Sequence, residues 1–249
     1  NPNNSKGGYF IETGWASIRN KTEVPGPDSK WSVIGNKTLN ENSPIILEWK
    51  NKDQIIFRKK IKIDEKYLFN ITQEVKNNSN ESIELYPYAQ ITRNEVPEDL
   101  QNFYISHEGF IGVFDEELKE DDYDDIKEKK IVREAVNGWF GITDKYWLTT
   151  IVPPKDRSFK STFLYKNGYK ANYISNEPIV ISSSSTQANT VKLFVAAKEV
   201  KTIDAYAANE KIEKFDLVID WGWFYFFTKP LFFIVDYLFK ISGNFGIAI

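Results

Sequence analysis

Apolar and polar residues alternate over much of this chain. In Ile55–Ile63 the odd positions Ile55, Phe57, Ile61 and Ile63 are apolar, while Arg58, Lys60 and Lys62 face the other way. Over 67–75 the apolar set is Tyr67, Phe69, Ile71 and Val75, opposed by Asn70, Thr72 and Glu74. Ile83, Leu85, Ala89 and Ile91 alternate with Glu84, Tyr86, Tyr88 and Gln90, and Val191, Leu193, Val195 and Ala197 repeat the period. Successive side chains of a strand point to opposite faces, so each run predicts a strand with one face on a core, as in antiparallel sheets. Turn residues separate the runs: Asn51-Lys52-Asp53, then Asn77-Asn78-Ser79-Asn80, then Asn167-Gly168, which suits the left-handed turn of a tight hairpin. The expected fold is therefore all-β, a sandwich of antiparallel strands with few helices.

Two stretches break this pattern. Residues 115–130 are densely charged and predict a solvated loop or short helix. A calcium loop needs ligands at alternate positions and a glycine at its sharp turn, which Asp121-Asp122-Tyr123-Asp124-Asp125 does not supply. Residues 200–212 (VKTIDAYAANEKI) predict a helix with an inward stripe of Ile203, Tyr206 or Ala207, and Ile212.

The last thirty-odd residues differ from everything before them. Over 221–239 most positions are apolar, many are aromatic, and Lys229 and Asp236 are the only charges. Spanning a bilayer takes about 20 apolar residues. Pro230 suits a helix start and Gly243 a stop, which leaves 230–242, too short to cross. Asp236 and Lys240 lie four apart on one face of that segment. The pattern predicts an amphipathic helix lying in the membrane interface, its apolar face carrying Leu231, Phe232, Phe233, Ile234, Val235, Leu238 and Phe239, with Trp221, Trp223 and Tyr225 at headgroup level. The organisation expected is a β-rich domain over 1–214, a linker and interfacial helix over 215–243, and the start of a transmembrane segment at 244–249.

Composition narrows the chemistry. The chain has 249 residues, 27% charged and 41% hydrophobic, as in globular domains. With 32 Lys and Arg against 35 Asp and Glu and no basic stripe, nucleic acid is not an expected partner. There is no cysteine, hence no disulfide, thiol chemistry or cysteine-ligated metal, and with no methionine the chain is expected to begin inside a larger protein or after processing. His107 is the single histidine, too few for a triad or an ordinary zinc site, and no phosphate loop or nucleophile elbow occurs. No catalytic, cofactor-binding or metal site is expected. Six Asn-x-Ser/Thr triplets, at Asn3, Asn20, Asn36, Asn70, Asn77 and Asn80, are set down to the abundance of asparagine. Trp139-Phe140-Gly141 with Tyr146-Trp147 reads either as core aromatics or as a sugar-stacking surface.

Four stretches together carry a family resemblance: Phe57-Arg58-Lys59-Lys60-Ile61 with Asp64-Glu65-Lys66-Tyr67; Leu85-Tyr86-Pro87-Tyr88-Ala89; His107 to Val113; and Gly138 to Trp147 with Ile151-Val152-Pro153-Pro154. With the closing Phe215-Asp216-Leu217, Asp220-Trp221-Gly222-Trp223, Pro230-Leu231 and Gly243 to Gly246, the chain resembles the large periplasmic domain of the YidC/Oxa family of membrane insertases. The resemblance implies a twisted β-supersandwich of the galactose mutarotase type, facing the periplasm of a bacterial inner membrane. It implies nascent inner-membrane proteins, Sec translocon subunits and the lipid bilayer as partners, and no enzymatic role. The insertion groove would lie beyond this sequence. The rival readings are a membrane-anchored carbohydrate-binding or epimerase-like protein, with an open cleft at Trp139 and Trp147, and a periplasmic chaperone with an exposed apolar groove.

Overall fold

The computed structural model describes residues 8–18, 21–97, 100, 107–155, 157–222 and 224–249, the side chain of Tyr225 excepted. Its strands are Tyr9–Ala16 (β1), Ser32–Ile34 (β2), Ile45–Lys50 (β3), Ile55–Ile63 (β4), Leu68–Asn77 (β5), Ile83–Arg93 (β6), Gly109–Phe114 (β7) and Glu117–Asp121 (β8). Then follow Ile131–Ala135 (β9), Gly138–Thr143 (β10), Trp147–Val152 (β11), Phe159–Tyr165 (β12), Tyr169–Ser175 (β13), Ile179–Ile181 (β14) and Thr186–Ala197 (β15). Helices are Tyr123–Glu128 (α1), Val200–Asn209 (α2), Tyr225–Ser242 (α3) and Phe245–Ala248 (α4), with a 3₁₀ turn at Phe215–Val218.

The strands form two antiparallel sheets. One runs β1-β6-β13-β12-β9 with β14 added to β6, and the other runs β2-β3-β4-β5-β15-β11-β10-β7-β8. Their facing sides enclose the main core, with Ile71, Val191, Phe140 and Ile151 from the larger sheet against Ala89, Ile91, Phe163 and Tyr173 from the smaller. A second cluster of Trp15, Phe57, Val75, Leu85 and Ile181 closes one end. The predicted strands stand with most of their inward positions, although Val195 is exposed and Phe194 is buried in its place because the α2 layer covers the other face of β15 there. The asparagine turns are built as their chemistry suggests. Asn51 Oδ1 accepts from the amides of Asp53 and Ile55, each at 2.9 Å, and Asn77 Oδ1 accepts from Ser79. Asn167 takes a φ of 52° in the β12–β13 hairpin, the left-handed geometry expected there.

Three expectations are corrected. Tyr67 is not an inward strand residue: it precedes β5 with a φ of 66° and is exposed, and Leu68 is buried instead. The stretch 115–130 is not simply loop or helix, since Glu117–Asp121 pairs with β7 as the edge strand β8 before α1 begins. There Asp121 is nearly buried and takes the Arg133 guanidinium in two bonds of 2.8 and 2.9 Å. Third, α3 starts at Tyr225, so Pro230 lies inside the helix rather than at its start. A proline removes one amide from the helical ladder. The first turn is held nonetheless, because the Thr228 hydroxyl donates to Trp221 O at 2.9 Å and the Thr228 amide to Phe224 O at 2.9 Å.

Strands β7, β10 and the inner part of β11 are buried on both faces, which alternation does not reveal. Their outer face is covered by α2 and the 3₁₀ turn, which bring Ile203, Tyr206, Ile212, Phe215 and Val218 onto Ile111, Trp139, Leu148 and Phe194. The inward stripe predicted for 200–212 is therefore present, although the helix stops at Asn209 and Ile212 follows it.

Candidate membrane interface

The site begins where the sheet ends. From β15 the chain enters α2, and three anchors fix its path across the sheet. The Tyr206 hydroxyl donates to the Asp64 carboxylate at 2.7 Å; burial first, then this bond, pushes the phenol's pKa upward. The Trp139 indole Nε1 donates to Glu213 O at 2.9 Å. The Phe215 ring stands edge-on to Trp139 and Phe194, at 5.3 and 5.7 Å. The exit point of α3 is thus set by a buried aromatic cluster rather than by a free linker.

Helix α3 then presents two unlike sides. At 100° per residue Lys229, Asp236 and Lys240 fall on one side, and that side meets the sandwich. Lys229 Nζ lies 3.2 Å from Asp204 and 4.0 Å from Asp216. Asp236 takes Lys201 of α2 at 2.6 Å and Lys240, one turn on, at 2.9 Å. Hydrogen bonds from Lys201 and then Lys240 hold the Asp236 carboxyl below the usual carboxylate range, and Lys201 is raised in turn. Exposed ion pairs are individually weak, so this side is an aligned, salt-sensitive latch rather than a packed interface.

The opposite side carries Phe227, Leu231, Ile234, Leu238 and Ile241 at the spacing of one helical stripe, and all are exposed. Phe226 and Ile241 each reach 67% exposure, values that aqueous surfaces seldom give to side chains so large. The stripe runs on past the Gly243 stop, where φ is 63° and the amide donates to Phe239 O at 2.8 Å. Asn244 caps α4, and Phe245 and Ile247 are exposed there.

The residues expected at the interface separate on this helix. Leu238 lies on the exposed stripe. Phe232 sits beside it, edge-on to Trp221 at 5.4 Å, and Phe239 leans on Phe245 at 6.2 Å. Phe233 is half-buried on the latch side. Trp221 is half-buried beneath Lys229 Nζ, 6.0 Å from its ring centroid. Trp223 lies outside the described residues, and so does the side chain of Tyr225. Ile234 lies on the exposed stripe and Ile241 extends it, whereas Phe226 and Phe227 fall in the turn before Pro230, outside the helix that the sequence predicts. Among the described residues no helix is long and apolar enough to cross a membrane, and α3 itself carries three charges, Lys229, Asp236 and Lys240.

The other sequence candidates resolve simply. Trp139 is fully buried, so it is a core residue, whereas Trp147 stays 61% exposed at the start of β11. The open cleft expected to hold both is therefore not formed. His107 donates from Nε2 to Phe110 O at 2.9 Å, with Nδ1 3.6 Å from Asp122, and closes the turn into β7. Asn77 is fully buried and its amide donates to Glu81 O and Ile181 O, a structural asparagine.

Comparison with known proteins agrees with this architecture. Residues 1–234 match the family model described as YidC periplasmic domain. The chain is 47% identical over 248 residues to a protein named membrane protein insertase YidC from Pelagibacter ubique, covering 100% of this chain and 44% of that protein. It is 37% identical over 254 residues to the protein of the same name from Brucella suis, covering 100% and 42% respectively. It thus spans less than half the length of these curated relatives. Among solved structures, a galactose mutarotase-like protein from Lactobacillus casei superposes with a TM-score of 0.50 at 8% identity, over 74% of this chain and 84% of that one. At that identity the likeness speaks for the fold alone, and it is the mutarotase-like β-sandwich expected. The chain belongs to the YidC periplasmic domain family of membrane protein insertases.

Proposed function

We propose that this chain is the periplasmic sandwich of a bacterial inner-membrane insertase, held against the bilayer by α3, and that it acts without catalysing a reaction. Residues 1–214 form the periplasmic body, 215–243 the connection and interfacial helix, and 244–249 the entry to a transmembrane segment. The observation that carries this reading is the uncovered stripe Phe227, Leu231, Ile234, Leu238 and Ile241, opposite a side that is ion-paired to the sandwich. Such a helix is stable with its apolar side in the acyl boundary and its charged side toward water. In this arrangement the latch sets the height and tilt of the sandwich over the membrane. Clients would be nascent inner-membrane proteins, and Sec translocon subunits would work beside it.

Photo-crosslinkers placed along the domain within the complete protein, in cells, test the partners. Capture of nascent membrane proteins and Sec subunits from the membrane-proximal surface is expected. Capture of periplasmic unfolded proteins alone would favour a chaperone role instead. A sugar-dependent rise in thermal stability would favour a carbohydrate function instead.

A further inference from the structure

Strand β4 turns Ile55, Phe57 and Ile61 toward the inter-sheet space, and by the same alternation it turns Lys59 there too. This lysine lines a trough of about 410 Å³ beside β1, the edge strand of the smaller sheet. Trp31, Leu47, Ile61 and Leu193 line it with apolar surface, and the buried Gln73 of β5 lines it too, its Nε2 donating weakly to Gly14 O at 3.5 Å. Lys59 Nζ donates to Thr13 O at 2.6 Å and lies 5.5 Å from the centroid of the Trp31 ring. Among the described residues no carboxylate forms an ion pair with it. An ammonium has three protons to donate, and this one contacts a carbonyl and a ring face, with Glu12 across the trough acting on it only through space. Burying a cation without an anion is costly, whereas a trough open to solvent lets a ligand bring one.

We infer that this trough is a binding site for a monoanionic carboxylate on an apolar or aromatic body, with the carboxylate on Lys59 and Gln73 and the body against Trp31, Leu47 and Ile61. Glu12 of β1 also lines the trough, and its carboxylate accepts from Gln90 Nε2 at 3.2 Å, so it opposes a second negative charge on the ligand. Burial supports the assignment by holding the Lys59 pKa down to about 8, against a smaller upward pull from Glu12. The other titratable groups lining the trough are Tyr88 of β6, raised chiefly by burial, and Arg58, raised chiefly by its bond to Glu48. Carboxylates are ionised throughout the neutral and alkaline range. Lys59 is therefore the group in the trough that loses its charge near pH 8.

A free aromatic acid and an acidic side chain in an extended peptide share this chemistry. The test titrates the chain with benzoate, and separately with acetyl-Phe-Asp-Phe-amide, following tryptophan fluorescence. Benzyl alcohol and acetyl-Phe-Asn-Phe-amide are the neutral controls. The expected result is saturable binding of at least one acid, roughly tenfold or more tighter than its neutral partner. It should be lost in Lys59→Gln, kept in Lys59→Arg, and weakened as pH rises through about 8 in the unaltered chain. Preference for benzoate identifies a free acid as the ligand, and preference for the peptide a polypeptide side chain. Equal affinity for acid and neutral partner, binding indifferent to pH in this range, or no saturable binding by any probe overturns the proposal. The pH series uses the unaltered chain, so it decides the matter even if Lys59→Gln fails to fold.

Discussion

At the scale of single residues, Trp139 shows how one side chain ties the sheet to the segment that leads into α3. It projects from the outer face of β10, packs against Phe215, and donates to Glu213 O. Trp139→Ala should cost about 3–5 kcal/mol, the usual range for deleting a buried aromatic. Urea unfolding would measure it, and a change below about 1 kcal/mol would mean that α2 and the 3₁₀ turn do not depend on this contact. Gly138 just before it has a φ of 142°, and a Cβ there would stand 1.9 Å from Val113 O, so this position needs glycine. The aromatic run around Trp139 was visible in the sequence, but its role was not. Core and sugar-stacking aromatics have the same composition, and what separates them is the α2 layer laid over the sheet by residues more than sixty positions later.

At the scale of elements, the strands were legible wherever one face meets water, as in β4, β5 and β6, because alternation then records the two environments. It fell silent on β7 and β10, buried on both faces, and it passed over Lys59, a charged residue on an otherwise apolar side. Helix α3 was legible as amphipathic, but its start was misplaced. Proline disfavours helix before it, and the Thr228 hydroxyl that braces the preceding turn is a tertiary detail. Two predictions belong here. Asp236 is held below the usual carboxylate range, so the latch is complete above that range and is lost as pH falls through the lowered value. Proteolytic nicking around Phe224 should therefore rise on acidification, and Asp236→Asn should show the high rate at neutral pH already. Second, Ile234→Asp with Leu238→Asp should weaken binding to anionic vesicles by roughly tenfold or more, since each buries a charge at the acyl boundary. Phe232→Asp should do less, because that ring rests on Trp221. Flotation of the two variants and the unaltered chain with lipid vesicles would rank them.

At the scale of the whole molecule, the sandwich, the α2 layer and α3 form one series of contacts, and in the proposed function that series would orient the sandwich over a membrane. The fold class and the place of the amphipathic C-terminal helix could be read from the chain, because both are repeated patterns of apolar residues. The latch could not, since Lys201, Asp204 and Asp216 are ordinary surface charges until α2 and the 3₁₀ turn are folded beneath α3. The absence of cysteine makes the orientation directly measurable, because a single introduced cysteine labels one position only. The decisive measurement is the depth of an environment-sensitive fluorophore placed in turn from Phe226 to Ile241 in vesicles carrying lipid-tail quenchers. Quenching should rise and fall with the helical period, greatest at Phe227, Leu231, Ile234, Leu238 and Ile241 and least at Lys229, Asp236 and Lys240. Deep quenching at every position would make α3 a buried span, and none at any position would take it off the membrane; either contradicts the account.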